Sequence, residues 1–428
     1  MQTLRAAKAI EKDIVDIRRK VHMYPEIGLE TPNTSALVAE ALSDLGMDVT
    51  ERVGGHGVVG LLKGEGKSGG GRTVALRADM DALPVKEETG KDYASKVPGV
   101  MHACGHDAHV AILLGAAKVL SGMRGEFAGN VKLLFQPGEE GGGGARLMIK
   151  DGCLEAPKPD VIFGLHVGTL WPTKAGEIGV KPGPLMAASD SFEIAVRGKG
   201  GHGAAPHLSV DPVVIASQIV VALQTIVSRE IDPNAPAVVT IGKIEAGTAR
   251  NIIPETCTLL GTVRYIDRSL KGFMPARIKE IASGIAHSMR GEAAVEYRNG
   301  YPLLVNDPAA TEFLAKSGAS VIGPDKVIGI QPTMGGEDMA YYLERVPGTF
   351  FSLGSASTEK ATQFPNHHPK FDVDESVLAL GSAIFAQVCL DFLKQGAEAP
   401  GDGASPGSAA RTDKHGRPPT EPGGLDHQ

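Results

Sequence analysis

The sequence predicts an α/β fold with a mainly parallel central sheet, interrupted by a smaller ferredoxin-like α+β domain. Two patterns predict it. Strand-like apolar runs alternate with helical stretches through the first part of the chain, as in a layered fold with crossover helices. From about 188 to 298 the order changes to strand, helix, strand, strand, helix, strand, which is the β-α-β-β-α-β order of the ferredoxin-like unit. The length of 428 residues also asks for more than one core.

Taken in order, TVALRAD at 73–79 is an apolar run of strand length, and the stretch from Asp107 to about Met123 is helical. VKLLFQ at 131–136 and VIFGLHV at 161–167 read as further strands of the same sheet. In the insert, DSFEIAVRG precedes a helix at 211–229, AVVTIGKI and TCTLLGTVRYI are the next strands, a helix follows at 269–290, and AAVEYR closes the unit. The chain then returns to α/β character, with TFFSLGS as a strand and a long amphipathic helix at 374–395. The expected division is therefore 1–187 and 301–395 for the main domain, 188–300 for the insert, and 396–428 for a tail. That tail is rich in Gly, Pro, Ala and Ser, buries too little to offset its ordering entropy, and is expected to be disordered.

Composition narrows the function classes. The four cysteines, Cys104, Cys153, Cys257 and Cys389, show no paired spacing, so no disulfide framework is expected and a reducing, cytoplasmic setting fits. The first residues mix charges of both signs through a helical rhythm, unlike a secretory signal. The most apolar stretch, 213–227, is expected to be a core-facing helix too short to cross a bilayer. A net charge of −7 offers no basic surface for nucleic acid, so small-molecule partners are favoured over nucleic acid or membrane.

The densest group of potential ligands is MHACGHDAH at 101–109, with three histidines and a cysteine ahead of an apolar helix. Thiolate and imidazole together suit a borderline-soft cation such as zinc. A cysteine nucleophile, Cys104, with His106 as base is the rival reading, and the spacing does not decide between them. In QPGEEGGGGA at 136–145, Glu139 and Glu140 follow the end of a strand, where ligands of open α/β sheets gather. Asp79, Asp81 and His166 also stand at strand ends, so one rim could receive them all. A phosphate loop is excluded, because no Lys follows these glycines and the GKS at 66–68 has Leu61 where Gly is needed. GKGGHGAAPH at 198–207 sets His202 in a Gly-rich turn, and NHHPKFDVDE at 366–375 sets His367 and His368 in a loop.

Taken together, these motifs resemble one family over the whole chain up to about residue 395. HMYPEIGLET, LRADMDALPV, MHACGHDAH, FQPGEEGGGGA, GLHV, GKGGHGAAPH, GTARNIIPE, GTVR, MGGEDMAYYL and HHPKFDVDE occur in the order of the amidohydrolase branch of the dinuclear-zinc peptidases. That group contains hippurate hydrolase, plant auxin-conjugate hydrolases and N-acyl-L-amino-acid amidohydrolases. The resemblance implies that Cys104, His106, Glu140, His166 and His367 hold two divalent metal ions, zinc first, with manganese, cobalt or nickel as alternatives. His367 is preferred to His368 because the family's ligand stands two residues before the Pro, here Pro369. Glu139 would be the general base, and Asp81 the carboxylate that orients a ligand. Asp79 stands where related peptidases carry a ligating His, a departure that leaves its own role open. The resemblance further implies a homodimer, or an assembly built on one, through residues 188–300. His202 would then reach the partner's active site, and Asn251 and Arg264 would bind the substrate carboxylate. The implied reaction is hydrolysis of N-acyl amino acids by hydroxide generated between the two cations. A metallocarboxypeptidase or dipeptidase using the same site is the alternative. A thiol hydrolase based on Cys104 and a metal-holding protein without catalysis are the readings from other classes.

Overall fold

The computed structural model describes residues 1–66 and 71–394, so the tail at 396–428 lies outside the described residues. Strands β1 (Asp48–Val53), β2 (Gly57–Lys63), β3 (Thr73–Asp79), β4 (Asn130–Gln136), β5 (Val161–Gly168) and β6 (Ile178–Val180) come first. Next follow β7 (Ala188–Arg197), β8 (Ala237–Ala246), β9 (Thr256–Tyr265) and β10 (Glu292–Tyr301), and finally β11 (Val327–Gly329) and β12 (Gly348–Gly354).

The larger sheet has eight strands in the order β1-β2-β4-β3-β5-β12-β6-β11. Its centre is parallel, at β4–β3, β3–β5 and β5–β12, and so is β6–β11. The joints β1–β2, β2–β4 and β12–β6 are antiparallel, so the sheet is mixed, which the alternation of apolar runs did not reveal. The β1–β2 hairpin escapes that pattern because DVTERV is a mostly exposed edge strand, turning through Gly54 and Gly55 at positive φ.

Strands β3, β5 and β12 are buried along their whole length, because both faces are covered. Alternate side chains serve the two faces. Val74, Leu76, Phe163 and Leu353 join the core under helices His106–Ser121 and Leu378–Lys394, whereas Ala75, Ile162 and Phe350 pack with Met148 and Tyr342 on the other side. Helix His106–Ser121 is buried nearly all round. A Cβ on its Gly115 would meet Ser382 Oγ at 2.4 Å, so glycine is what lets the two helices approach this closely.

The smaller sheet is antiparallel throughout, in the order β8-β9-β7-β10. With helices Pro212–Thr225 and Leu270–Ser288 packed on it, this is the strand order of a ferredoxin-like unit. Strand β7 alternates buried and exposed residues, as a sheet covered on one face must. The expectation for 213–227 needs correction on two counts. With its final wide turn, the helical segment Pro212–Glu230 has the length and apolarity to cross a membrane, as does Glu375–Lys394. The latter lies mostly inside the protein. The former is core-facing on one side only: Ile215, Ile219 and Leu223 are buried, while Val213, Val214 and Val221 are exposed.

Candidate metal centre

The carboxyl ends of β3, β4 and β5 converge on one rim, beside the start of helix His106–Ser121. Asp79 ends β3 and Asp81 follows it, Glu139 and Glu140 follow β4, and His166 lies within β5. Cys104 and His106 flank Gly105, whose φ of 91° and contact with Val167 leave no room for a side chain. A second loop is stitched onto this turn: His367 N donates to Ala103 O at 2.7 Å, and Asn366 Nδ2 donates to Cys104 O at 3.2 Å. Sequence reasoning passed over Asn366, which also accepts from Thr169 N at 2.9 Å and so ties the loop to the end of β5.

All five expected ligands meet here. Cys104, His106 and His166 form one group and Cys104, Glu140 and His367 another, each with its ligand atoms within 4.8 Å of one another. Cys104 belongs to both, so two cations can lie side by side around it. Cys104 Sγ stands 3.4 Å from His166 Nε2, and His367 Nε2 3.2 Å from Glu140 Oε1. His166 Nδ1 donates to Val167 O at 2.6 Å, which leaves Nε2 unprotonated and facing the thiol. Buried His106 has no hydrogen bond to either ring nitrogen. The Asp81 and Asp79 carboxylates approach it no closer than 3.5 and 3.7 Å, so this imidazole, stripped of water, still has a lone pair for a cation to take. Thiol, imidazole and carboxylate in this arrangement fit a pair of divalent cations.

The electrostatics are those of a dry, densely charged pocket. Burial pushes the Cys104 thiol up to about 12. Burial together with Glu337 and Glu140 raises Glu139 well above the carboxylate range. Glu140 goes the other way: burial opposes its charge, but His367 and His106 hold it below its ordinary value. Asp81 organises the pair, accepting from Glu139 N at 2.9 Å and Glu140 N at 3.0 Å while its Oδ1 faces His106 Nδ1 at 3.5 Å. The loop is pinned from the opposite side by Tyr301, whose hydroxyl donates to Glu139 O and accepts from Gly141 N at 2.9 Å and Gly143 N at 3.2 Å.

The other two histidines of the 101–109 cluster do different work. His109 Nδ1 donates to Asp79 at 2.5 Å and its Nε2 accepts from Val167 N at 2.9 Å, so neither nitrogen remains for a metal. His102 is buried, lies 6.3 Å from His22, and burial lowers its pKa to about 3. Asp79, left open by the sequence, binds Arg77 Nη1 at 2.8 Å, and the same guanidinium reaches Gln136 at 3.0 Å, Asp338 at 2.8 Å and Glu337 at 3.0 Å. Glu337 and Asp338 group with Glu139, a proximity for which the adjacent acids of MGGEDMAYYL were the available signal.

His202, Asn251 and Arg264 stand on the smaller sheet's side, with no hydrogen bond or ion pair to the five ligands among the described residues. His202 is exposed in a short ribbon opposite Ile252, and Asn251 O accepts from Gly203 N at 2.9 Å, so these two are neighbours. Arg264 lies near the other end of β9, where its Nη1 donates to Val263 O at 3.0 Å and to the Thr262 hydroxyl.

An α/β sheet that offers this donor set at its strand ends is the framework of a metal-dependent hydrolase. The chain belongs to peptidase family M20/M25/M40, whose model matches residues 75–391. It is 43% identical over 389 residues to thermostable carboxypeptidase 1 of Saccharolobus solfataricus, covering 90% of this chain and 96% of that protein. It is 41% identical over 373 residues to the N-acetyl-L-cysteine deacetylase of Bacillus subtilis, covering 87% and 86% respectively. Among solved structures, a dinuclear metal-binding M20 peptidase from Bacillus subtilis superposes with a TM-score of 0.78 at 33% identity, over 90% of this chain and 99% of that one. The protein is therefore a hydrolase of amide bonds with a centre for two divalent metal ions.

Proposed function

We propose that the protein hydrolyses the amide of small N-acyl amino acids, with Cys104, His106, Glu140, His166 and His367 as metal ligands and Glu139 as general base. The observation that carries this reading is Glu139 itself: a buried carboxylate beside the ligand set, with its proton affinity raised and its backbone fixed by Asp81 and Tyr301. A protein that merely stored metal would have no use for it.

When bound, the cations lower the pKa of water toward about 7 and polarise the scissile carbonyl. Glu139 takes a proton from the attacking water and passes it to the leaving nitrogen, so one carboxylate serves both transfers. Asp81 keeps Glu139 and Glu140 in register and orients His106. His202 of a second subunit donates to the developing oxyanion, and Asn251 and Arg264 grip the substrate carboxylate. The exposed Val213, Val214 and Val221 and the unpaired edge of β8 support a homodimer through residues 188–300. Zinc is the metal that the thiol favours. The four cysteines are free, which supports a reducing compartment, the cytoplasm.

A thiol-hydrolase reading of Cys104 is disfavoured: His166 Nε2 faces the thiol at 3.4 Å, but burial pushes that thiol up to about 12, the opposite of an activated nucleophile. Carboxypeptidase activity is the second reading, favoured by the 43% identity to the archaeal carboxypeptidase. The test is a panel of N-acetyl, N-benzoyl and indole-acetyl amino acids set against dipeptides and longer peptides, on zinc-loaded protein. Faster turnover of the N-acyl amino acids is expected; preference for peptides would overturn this choice in favour of the second reading.

A further inference from the structure

Behind the loop that carries Glu139, a cavity of about 720 Å³ opens between the two sheets, and none of the five metal ligands lines it. Its volume is that of a small-molecule site. Arg146 and Arg345 line it from the larger sheet's side, Arg268 and Lys271 from the start of helix Leu270–Ser288. Among the described residues none of these four cations makes an ion pair. Two carboxylates share the walls, Asp190 and Glu344, and the first is committed to the Tyr297 hydroxyl at 2.8 Å and Gly300 N at 3.0 Å. In a chain with a net charge of −7, this concave surface carries an excess of positive charge. All four are solvent-exposed, so an anion seated among them would exchange water for charged hydrogen bonds from several sides.

The wall facing the metal centre is aromatic. Tyr301 and Tyr341 meet edge to face at 6.1 Å, and the Tyr341 hydroxyl donates to Gly300 O at 3.0 Å. Tyr301 is also the residue that pins Glu139, Gly141 and Gly143. A ligand that fills the cavity would therefore touch both domains and the side chain that fixes the catalytic loop.

We propose that this cavity is an effector site for a small anion of two or more negative charges, a phosphate ester or a polycarboxylate, which clamps the two domains and stiffens the Glu139 loop through Tyr301. Guanidinium groups on opposite walls suit such an oxyanion because each can bind it bidentately. Such regulation is independent of which amide the enzyme cuts, and binding, read without turnover, tests it.

The test titrates metal-loaded protein calorimetrically with inorganic phosphate and, separately, with benzene-1,3,5-tricarboxylate. Saturable one-to-one binding of at least one probe is expected, the tighter one assigning the phosphate or the carboxylate class. Affinity should fall about tenfold or more in Arg268→Gln/Lys271→Gln and likewise in Arg146→Gln/Arg345→Gln. If one double variant fails to fold, the other decides. Hydrogen exchange at Gly141 and Gly143 should slow on binding to the unaltered protein. No saturable binding, or equal affinity in the folded variants, would overturn the site; binding that leaves both amides unchanged would overturn its link to the loop.

Discussion

Replacing Arg77 by Met should weaken the whole platform behind the metal centre. Its guanidinium is 1% exposed and holds Asp79, Asp338 and Glu337 at 2.8, 2.8 and 3.0 Å. Burial opposes its charge, yet Glu337, Asp79 and Asp338 more than compensate and raise its pKa well above the ordinary value. Removing one member of a buried pair costs about 3–5 kcal/mol, because the partner charge stays behind in a dry place. Here Asp79 and the Glu337–Asp338 pair lose their cation at once; burial already raises Glu337 to about 8 and Asp338 to about 6, so protonation of that pair softens the loss and a cost within that range is expected, against a total stability of roughly 5–15 kcal/mol. Asp79 also fixes His109, which in turn holds the Val167 amide beside His166, so zinc affinity should fall about 10–100-fold. Arg77→Lys keeps the charge but not the fork, and should lie between the two. Urea unfolding of metal-free protein and zinc titration read both effects. An Arg77→Met protein within about 1 kcal/mol of the parent would mean that the carboxylates do not need their cation.

Glu139→Gln should keep both metals and lose about 10²–10⁴-fold in turnover, whereas Glu140→Ala should lose metal as well; a metal-free Glu139→Gln would reverse the two roles. His22 links stability to pH: burial works against its charge, but Asp107 and Glu87 raise its pKa from 6.5 to about 9. Its stabilisation is therefore fully present below pH 6.5, fades as pH climbs, and is lost above about 9, on the order of 3 kcal/mol in all. Urea unfolding at pH 6 and pH 9.5 should show this decline in the parent and not in His22→Gln; parallel declines would contradict it. Mixed His202→Ala and Glu139→Gln subunits, each inactive alone, should regain activity on exchange, and none regained after proven exchange would remove the partner role of His202.

Much of the site was visible in the chain because its signals are local. Cys104 and His106 lie in one turn, Glu139 and Glu140 just past a strand, and His166 near the end of a strand, so strand ends suggested a common rim, while the ligand roles, His367 among them, came only from the resemblance to the dinuclear-zinc peptidases. What spacing could not do was sort the histidines of one short segment. His106 opens the helix and faces the rim, while His109, one turn on, is taken by Asp79, and only the placement of β3 against that helix decides this. Long-range partners were equally hidden. Arg18 Nε binds Asp107 at 2.7 Å across 89 positions, anchoring the start of the ligand-bearing helix to helix Glu11–Met23. Nothing in the local pattern of either segment points to the other. The antiparallel edge of the larger sheet escaped notice because DVTERV is too polar to stand out as a strand, while GVVGLLK, though apolar, carries no sign of the direction in which it pairs.

Catalysis as proposed needs two cations held by the groups that share Cys104, with Glu139 off the metal. Anomalous diffraction from zinc-loaded crystals addresses it directly. Two peaks flanking Cys104 Sγ are expected, one toward His106 and His166 and the other toward Glu140 and His367, with no bond to Glu139. A single peak, peaks elsewhere, or Glu139 bound to either ion would contradict this arrangement.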